Sequence, residues 1–433
     1  MYLKIFLTIL MLFTFTTQIS LASAFLFRIH GSNTIGSKLA PALVKGYLKE
    51  KGATHIKEIE INDEDKEIHA LTKNGKKIKV EIKAHGSSTG FQDLNQNLCD
   101  IAIASRRIKD SEKKLLKRFG NMKDIENEHI IAIDGIAMLV NKNNPIKSLS
   151  IQQIQDIYRG KITNWNQISQ REGKINCYAR DKNSGTWDTF NTLVLHKNHL
   201  TNNVKRYQNN TKLSEDISKD INGIGFGGIP YILNTKALAI KESNTVISPN
   251  TFTIATEDYP LSRRLYMYNT DNIKKSINTF IEFTLSSKGQ KIVNKINFVD
   301  LNIKEFTLDK NQKVPRKYKK LVKNLTRLST SFRFEDDSES LDNKALRDIH
   351  RISNYLKKHH IYKKDIYLIG FTNNRSYKSI NKIYSLKKAK SISYGLTYNN
   401  IFIHKKNIIG CGQCYPIAKS HTKNRRVEVW IRR

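Results

Sequence analysis

The sequence predicts an α/β protein: two lobes around a cleft, followed by a smaller α/β unit. Three observations carry that expectation. Short apolar runs at 78–84, 101–104 and 131–140 alternate with helix-like segments such as 35–49 and 111–119, the pattern of parallel strands joined by crossover helices. Two distant phrases, Gly31-Ser32-Asn33-Thr34-Ile35-Gly36 and Arg180-Asp181-Lys182-Asn183-Ser184-Gly185-Thr186, each put small hydroxyl residues where a helix begins. A basic stretch over 304–327 then separates this pattern from a second set of strands and helices.

The first element is an export signal. Lys4 precedes a nearly unbroken apolar run over 5–15, and Ala22-Ser23-Ala24 supplies a small-residue cleavage site, so residues 1–24 read as a signal peptide and the mature chain begins at Phe25. No cysteine follows to carry a lipid anchor, and the expected location is the periplasm. The 433 residues suffice for two to four domains, and 39% hydrophobic with 26% charged residues excludes disorder. The formal net charge is +35. In an exported protein it points to phosphate, lipopolysaccharide, anionic lipid headgroups and cell-wall carboxylates rather than to nucleic acid. Abundant Lys, Asn and Ile, as in A+T-rich genomes, account for part of it.

The two hydroxyl phrases carry the chemistry. The first N–H groups of a helix lack intrahelical partners and sit at the positive end of its dipole, so they stabilise an oxyanion. Arg180 adds a fork of donors suited to a tetrahedral anion. Two such half-sites imply a cleft closing on phosphate. Alternatively, Ser32 and Ser184 are ordinary N-caps and Arg180 a surface ion pair.

The phrases also follow one another in a telling order. After Gly31–Gly36 come Gly86-Ser87-Ser88-Thr89-Gly90-Phe91, Asp100-Ile101-Ala102-Ile103-Ala104-Ser105-Arg106, Arg180–Thr186, Gly223-Ile224-Gly225-Phe226-Gly227-Gly228-Ile229-Pro230-Tyr231 and Tyr259-Pro260-Leu261-Ser262-Arg263. Over residues 25–300 this resembles the PstS-like periplasmic phosphate-binding proteins, which have a two-lobed, type II-like periplasmic-binding-protein fold. The resemblance implies that Ser32, Asn33 and Thr34 contact phosphate from one lobe, Arg180, Ser184, Gly185 and Thr186 from the other, and that Ser88 lines the cleft. Some members place an aspartate after the Ala-Ser dipeptide to accept the proton of hydrogen phosphate. Here Arg106 stands there and offers only donors. It either binds the anion directly, the reading taken here, or points outward, and other oxyanions then compete with phosphate. Chain crossings between the lobes are expected at 141–145 and after 227–231.

Residues 301–330 read as a basic linker, broken at Pro315. Cys411-Gly412-Gln413-Cys414 reads as a local disulfide, a passive thiol pair or a redox or metal site, and Cys99 and Cys177 as buried small residues or one bridge. Strand-like 331–334, 366–370 and 426–431 and helix-like 343–356 and 382–394 make up the last unit. Its phrases Gly370-Phe371-Thr372-Asn373-Asn374, Asn381 with Tyr384-Ser385, Gly410 with Gly412, and Asn424-Arg425-Arg426-Val427-Glu428 resemble the OmpA-like C-terminal domain over 331–433. That family holds peptidoglycan, and the resemblance implies contacts from Thr372, Asn373, Asn381, Ser385, Lys388 and Arg425. The family's aspartate and arginine are replaced by Asn373 and Lys388, which removes one charge and one bidentate fork and implies weakened binding. No cofactor, metal or catalytic constellation is expected. The predicted protein is a wall-docking phosphate binder, with an ABC permease as a candidate partner. The alternative is an envelope structural or adhesion protein whose basic surface binds peptidoglycan or lipopolysaccharide.

Overall fold

The computed structural model describes residues 25–433 except 243–244, 309–313, 335–339, 374–376 and 418–420; the expected signal peptide lies outside the described residues. Thirteen strands, β1 (Phe25–Gly31), β2 (Thr54–Glu60), β3 (Asp65–Leu71), β4 (Lys77–Lys83), β5 (Ile101–Ala104), β6 (Glu128–Asn141), β7 (Ser148–Ser150), β8 (Asn176–Arg180), β9 (Val204–Tyr207), β10 (Gly223–Gly228), β11 (Thr235–Glu242), β12 (Thr245–Ile247) and β13 (Ser262–Tyr268), form one ladder. Its main path is β2-β3-β4-β1-β5-β13-β6-β10-β8-β9, with β11 pairing β6, β7 and β12. The expected parallel pairs exist, β1 with β4 and β5, and β8 with β9 and β10. A β2–β3–β4 antiparallel meander extends the first lobe.

Strand β6 is the axis of this domain. All fourteen of its residues are buried, as its nearly continuous apolar sequence requires of a central strand. Residues 128–135 pair with β13 in the first lobe, and residues 136–141 pair with β10 and β11 in the second. The chain therefore crosses inside a strand, at Asp134–Ile136, and not at 141–145. The return also comes later than expected. The chain continues from Tyr231 into β11 and recrosses over 256–262, where the Ile136 N–H donates to the Leu261 carbonyl (2.9 Å). Apolarity alone marks β6 as a strand; the place where its partners change is a tertiary property.

The C-terminal sheet comprises β14 (Glu305–Thr307), β15 (Thr326–Arg333), β16 (Ile366–Phe371), β17 (Ile408–Gly412) and β18 (Arg426–Ile431), in the order β14-β15-β18-β16-β17. Two helices, Asn343–Lys358 and Lys378–Tyr398, cover one face through Ile352, Leu356, Ala389, Ile392 and Leu396. A Cβ on Gly370 would lie 1.9 Å from the Ser385 carbonyl oxygen, so strand and helix touch backbone to backbone there. The stretch expected as a linker is folded into this domain. It supplies β14, the start of β15 and the Arg316–Leu321 helix, whose Tyr318 packs on Trp430 at the other face. No helix among the described residues is long and apolar enough to cross a membrane.

Candidate functional site

The first-lobe half of the cleft is set by one backbone contact. Gly31 ends β1 at φ +133°, and a Cβ there would lie 2.2 Å from the Ile103 carbonyl oxygen, so only glycine fits. The next residue, Ser32, donates its N–H to that carbonyl at 2.9 Å. Ser32, Asn33 and Thr34 are thereby held beyond the sheet end, all buried, at the start of a short helix, Asn33–Gly36. Ser105, just after β5, donates its N–H to Ser87 Oγ at 3.1 Å.

The second lobe meets this half across hydrogen bonds. Ser184 caps the Gly185–Phe190 helix by accepting from the N–H groups of Thr186 and Trp187. Thr186 Oγ1 is 3.1 Å from Thr34 Oγ1, and Asn210 Nδ2 donates to Asn33 Oδ1 at 2.9 Å. A Cβ on Gly185 would lie 2.3 Å from Ser87 Oγ and 2.7 Å from Ser105 Oγ, so the lobes approach as closely as a glycine allows. The helix expected over 35–49 is two helices, Asn33–Gly36 and Leu39–Glu50, and Gly185–Phe190 runs into a π-helical turn at Asn191–Leu195.

Arg180 lies at the centre of the second-lobe half, 1% exposed. Three of its N–H donors go to neutral acceptors: the carbonyls of Tyr207 and Gln208 and the side-chain oxygen of Asn210. The nearest carboxylate, on Asp181, is 3.9 Å away. Burial of this sparsely compensated cation lowers its pKa to about 10. Arg263 is the second cation. It donates to Thr186 Oγ1 (2.7 Å) and Thr34 Oγ1 (3.4 Å), and is held by two bonds to the buried Asp134 carboxylate (2.7 and 3.1 Å). Three buried donors in this region, Ser32 Oγ, Asn33 Nδ2 and Ser105 Oγ, and one acceptor, Asp181 Oδ2, find no hydrogen-bond partner among the described residues. Leaving a buried donor unsatisfied costs about 1–3 kcal/mol, so these three donors suit an acceptor-rich ligand.

Arg106 is not part of that donor set, contrary to the direct-contact reading. Its Nε donates to Asp188 (2.6 Å), its two terminal nitrogens grip Glu112 (2.6 and 2.7 Å), and the remaining donors go to Ser88 Oγ (3.0 Å) and the Arg107 carbonyl (3.2 Å). A guanidinium has five N–H donors and all are spent. Ser88 thus serves as acceptor for Arg106. Because Asp188 belongs to the second lobe and Glu112 to the first, Arg106 is a strap across the cleft. The sequence reading missed Ser105, Asn210 and Arg263. Ser105 and Arg263 stood at the ends of phrases already singled out; Asn210 gave no local signal. At the cleft mouth a recess of about 500 Å³ is lined by His85, Thr89, Asp93, Asp181, Asn183 and Gln208.

The C-terminal candidates are only partly assembled. Thr372 Oγ1 donates to Asn373 Oδ1 (3.2 Å), and the Thr372 N–H donates to the Gly412 carbonyl (3.0 Å). Ser385 Oγ donates to the Lys382 carbonyl (2.8 Å) and accepts the Gly412 N–H (2.9 Å), a structural latch. Asn373, Asn381 and Arg425 are buried. Lys388 places its ammonium 3.9 Å from the centroid of the Phe334 ring. Cys411 and Cys414 are bridged, which fixes the loop around Gly412, while Cys99 and Cys177 are free and buried.

The C-terminal domain also reaches the crossing segment of the cleft. Arg327 donates to Asp258 at 2.7 Å, and Arg333 donates to the Thr256 carbonyl (3.0 Å) and Asp258 (3.5 Å). Arg264 donates to Asp342 at 2.7 Å. Lys423, its pKa lowered to about 7 by burial, donates to the Tyr259 carbonyl (2.6 Å) and Ser262 Oγ (2.9 Å), one residue before Arg263.

Comparison with known proteins matches both units. A family model described as a PBP superfamily domain matches residues 64–288, and one for the OmpA family matches residues 333–429. Phosphate-binding protein PstS of Staphylococcus epidermidis is 30% identical over 296 residues, covering 63% of this chain and 87% of that protein. Protein SphX of Synechococcus elongatus is 30% identical over 249 residues, covering 54% of this chain and 73% of that protein. Among solved structures, a substrate-binding protein ascribed to a phosphate ABC transporter of Clostridium perfringens, with bound phosphate, aligns at TM-score 0.51 and 27% identity, covering 63% of this chain and 98% of that one.

Proposed function

Because the chain belongs to the PBP superfamily through residues 64–288 and carries an OmpA family domain over 333–429, we propose that it is an extracytoplasmic receptor for inorganic phosphate, not an enzyme, held at the cell wall by its C-terminal domain. One observation carries the reading. Arg180 is buried among neutral acceptors, and the hydroxyl and amide donors of Ser32, Asn33 and Ser105 lie buried without partners near it. A tetrahedral oxyanion compensates the charge and accepts from both lobes at once. Thr34, Thr186, Gly185 and Ser184 frame it, and Arg263 adds a second cation. Asp134, whose oxygens accept from Arg263 and from the Ile229 N–H, is the carboxylate assigned to accept the proton of hydrogen phosphate, the role Arg106 cannot take. Closure is reinforced by the Arg106 strap and by Tyr231, whose hydroxyl donates to the Thr34 carbonyl at 3.0 Å.

Export by the 1–24 signal and delivery to an ABC permease complete the proposal. The experiment is calorimetry on protein unfolded and refolded free of ligand. One phosphate binds per chain, and Arg180→Met loses about 100-fold or more in affinity, as expected for removing two charge-assisted bonds. Sulfate competes poorly, and Asp134→Asn abolishes that preference. Equal phosphate binding by wild type and Arg180→Met overturns the site. Absence of binding in both favours the structural-envelope alternative.

A further inference from the structure

The Lys378–Tyr398 helix carries a surface that neither proposed site uses. Among the described residues, half of the exposed large apolar side chains lie between Tyr362 and Phe402. Most sit on this one helix or beside it: Tyr377 is 81% exposed, Ile383 66%, Tyr384 53%, Tyr394 71% and Tyr398 91%. Ile380, Ile383, Tyr384, Lys387, Tyr394 and Tyr398 recur at steps of one, three, four or seven residues and form one stripe. The opposite face, Asn381, Ser385, Ala389, Ile392 and Leu396, is the one buried on the sheet. At 1.5 Å per residue the helix is roughly 30 Å long, so the stripe is an extended ridge and not a spot.

Its charge is one-sided. From residue 366 to 427 the chain holds no Asp or Glu and 12 Lys or Arg. Lys378, Lys382, Lys387 and Lys390 on the helix are all exposed. A soluble face has no use for this combination, because exposed Ile and Tyr are disfavoured in water while lysines alone would keep it solvated. Exposed isoleucines bury well in acyl chains. Tyrosines lodge at the headgroup level with the hydroxyl wet, and lysine stems lie along apolar surface while their ammonium groups reach phosphates.

We propose that this helix face docks on an anionic lipid leaflet, lying in the interface plane with Ile380, Ile383, Tyr394 and Tyr398 inserted and Lys390, on the flank of the stripe, reaching the lipid phosphates. The inference goes beyond wall docking and is independent of the anion cleft. It gives the domain a second, lipid-facing side, so the receptor would rest on a membrane surface while its pocket remains available.

The test is flotation of the full mature chain with vesicles of phosphatidylethanolamine, with and without phosphatidylglycerol, at low and high salt. Binding is expected only to the phosphatidylglycerol vesicles. Lys390→Gln, on the flank of the stripe, should weaken it about five-fold, while Lys378→Gln and Lys382→Gln, on the side of the helix turned from the stripe, should change it little. Ile383→Ser with Tyr394→Ser and Tyr398→Ser should weaken it about ten-fold or more through lost apolar burial. These side chains are exposed, and unchanged circular dichroism and phosphate binding show that the variants fold. No binding to anionic vesicles overturns the proposal. So does full retention by the apolar triple variant, which reports charge alone. Loss of sacculus binding in the stripe variants without vesicle binding by wild type overturns it too, and assigns the face to wall polymer.

Discussion

Buried arginines at two places in this molecule have different surroundings. Beside the cleft, Arg180 spends its donors on two carbonyls and an amide. Where the domains meet, Arg327 and Arg333 face Glu257 and Asp258, and Arg426 is held by the fully buried Glu428, which also accepts from Tyr318 and Trp430. At the junction carboxylates balance the charge, although Arg327 Nε, Arg333 Nε and Arg426 Nη1 have no hydrogen-bond partner among the described residues; Arg180, whose nearest carboxylate is 3.9 Å away, asks for an anion. Burial of an arginine is therefore no sign of a binding site; the charge of its partners decides. Arg106 lies between the lobes yet belongs with the charge-balanced kind, since two carboxylates and two other oxygens take its donors.

The largest effect should come from breaking the charge-balanced cluster. Asp258→Asn leaves Arg327 and Arg333 facing a neutral amide in a fully buried setting. Removing one partner of a buried pair costs about 3–5 kcal/mol. Denaturant unfolding followed by probes in each domain should show the loss. Because Asp258 sits on the crossing segment four residues before Ser262, phosphate affinity should fall as well. An unchanged unfolding midpoint would place the two clusters in the same class and remove the contrast.

The next effect is a pH dependence between them. His129 lies at the domain junction, with Nε2 against Asn269 Oδ1 (2.6 Å) and Nδ1 facing Arg347 (3.1 Å). Burial first, then the nearby Arg347 charge, lower its pKa to about 4. The unfolded chain has the ordinary value near 6.5 and takes up the proton first as pH falls. Stability is thus intact above about 6.5 and declines towards 4, by about 2 kcal/mol at pH 5. Replacing the imidazole by an amide, His129→Gln, should flatten this slope while leaving the midpoint at neutral pH little changed.

Much of this was legible in the chain. The signatures at Ser32–Thr34 and Arg180–Thr186 lie where a glycine-enforced strand end and an N-cap put them, because both rest on local backbone chemistry. The C-terminal strand at Arg426–Ile431 has the expected bounds. What could not be read were properties of pairing. Register decides that β6 serves both lobes, and β14 and β15 enlist a stretch whose charge read as a tether. Likewise, no local pattern at Asn210 announces that it spans the cleft to Asn33. Arg106 was misread because its role depends on Glu112 and Asp188, and only the closed lobes bring Asp188 within reach.

A smaller effect tests the C-terminal pocket, where neither kind of cluster is present. Asn373 is buried with its Nδ2 unpartnered among the described residues, and Lys388 rests on Phe334. Restoring the charges of the resembled family by Asn373→Asp with Lys388→Arg should raise sedimentation with purified sacculi about ten-fold, since charge-assisted bonds replace neutral ones. The pair should gain more than the sum of the singles, because both would hold one zwitterionic group. No gain at any salt would make this a fold without its ligand.

The smallest effect is the most telling about the cleft, because its two readouts have opposite signs. Ser105 Oγ is buried without a partner among the described residues, so in the ligand-free protein it carries a desolvation cost and nothing in return. Ser105→Ala removes one oxygen and leaves the backbone bond from the Ser105 N–H to Ser87 Oγ in place. A purely structural serine would lose stability on this change. A serine kept for a ligand should leave the ligand-free melting temperature equal or slightly raised, while phosphate affinity falls about five-fold, one neutral hydrogen bond of about 1 kcal/mol. Ser87→Ala is the control, since Ser87 Oγ accepts that backbone N–H, and there the loss should appear in stability first. If Ser105→Ala melts earlier and binds phosphate as before, the unpartnered donors are not directed at an anion, and the difference between the two arginine clusters lies in packing rather than in purpose.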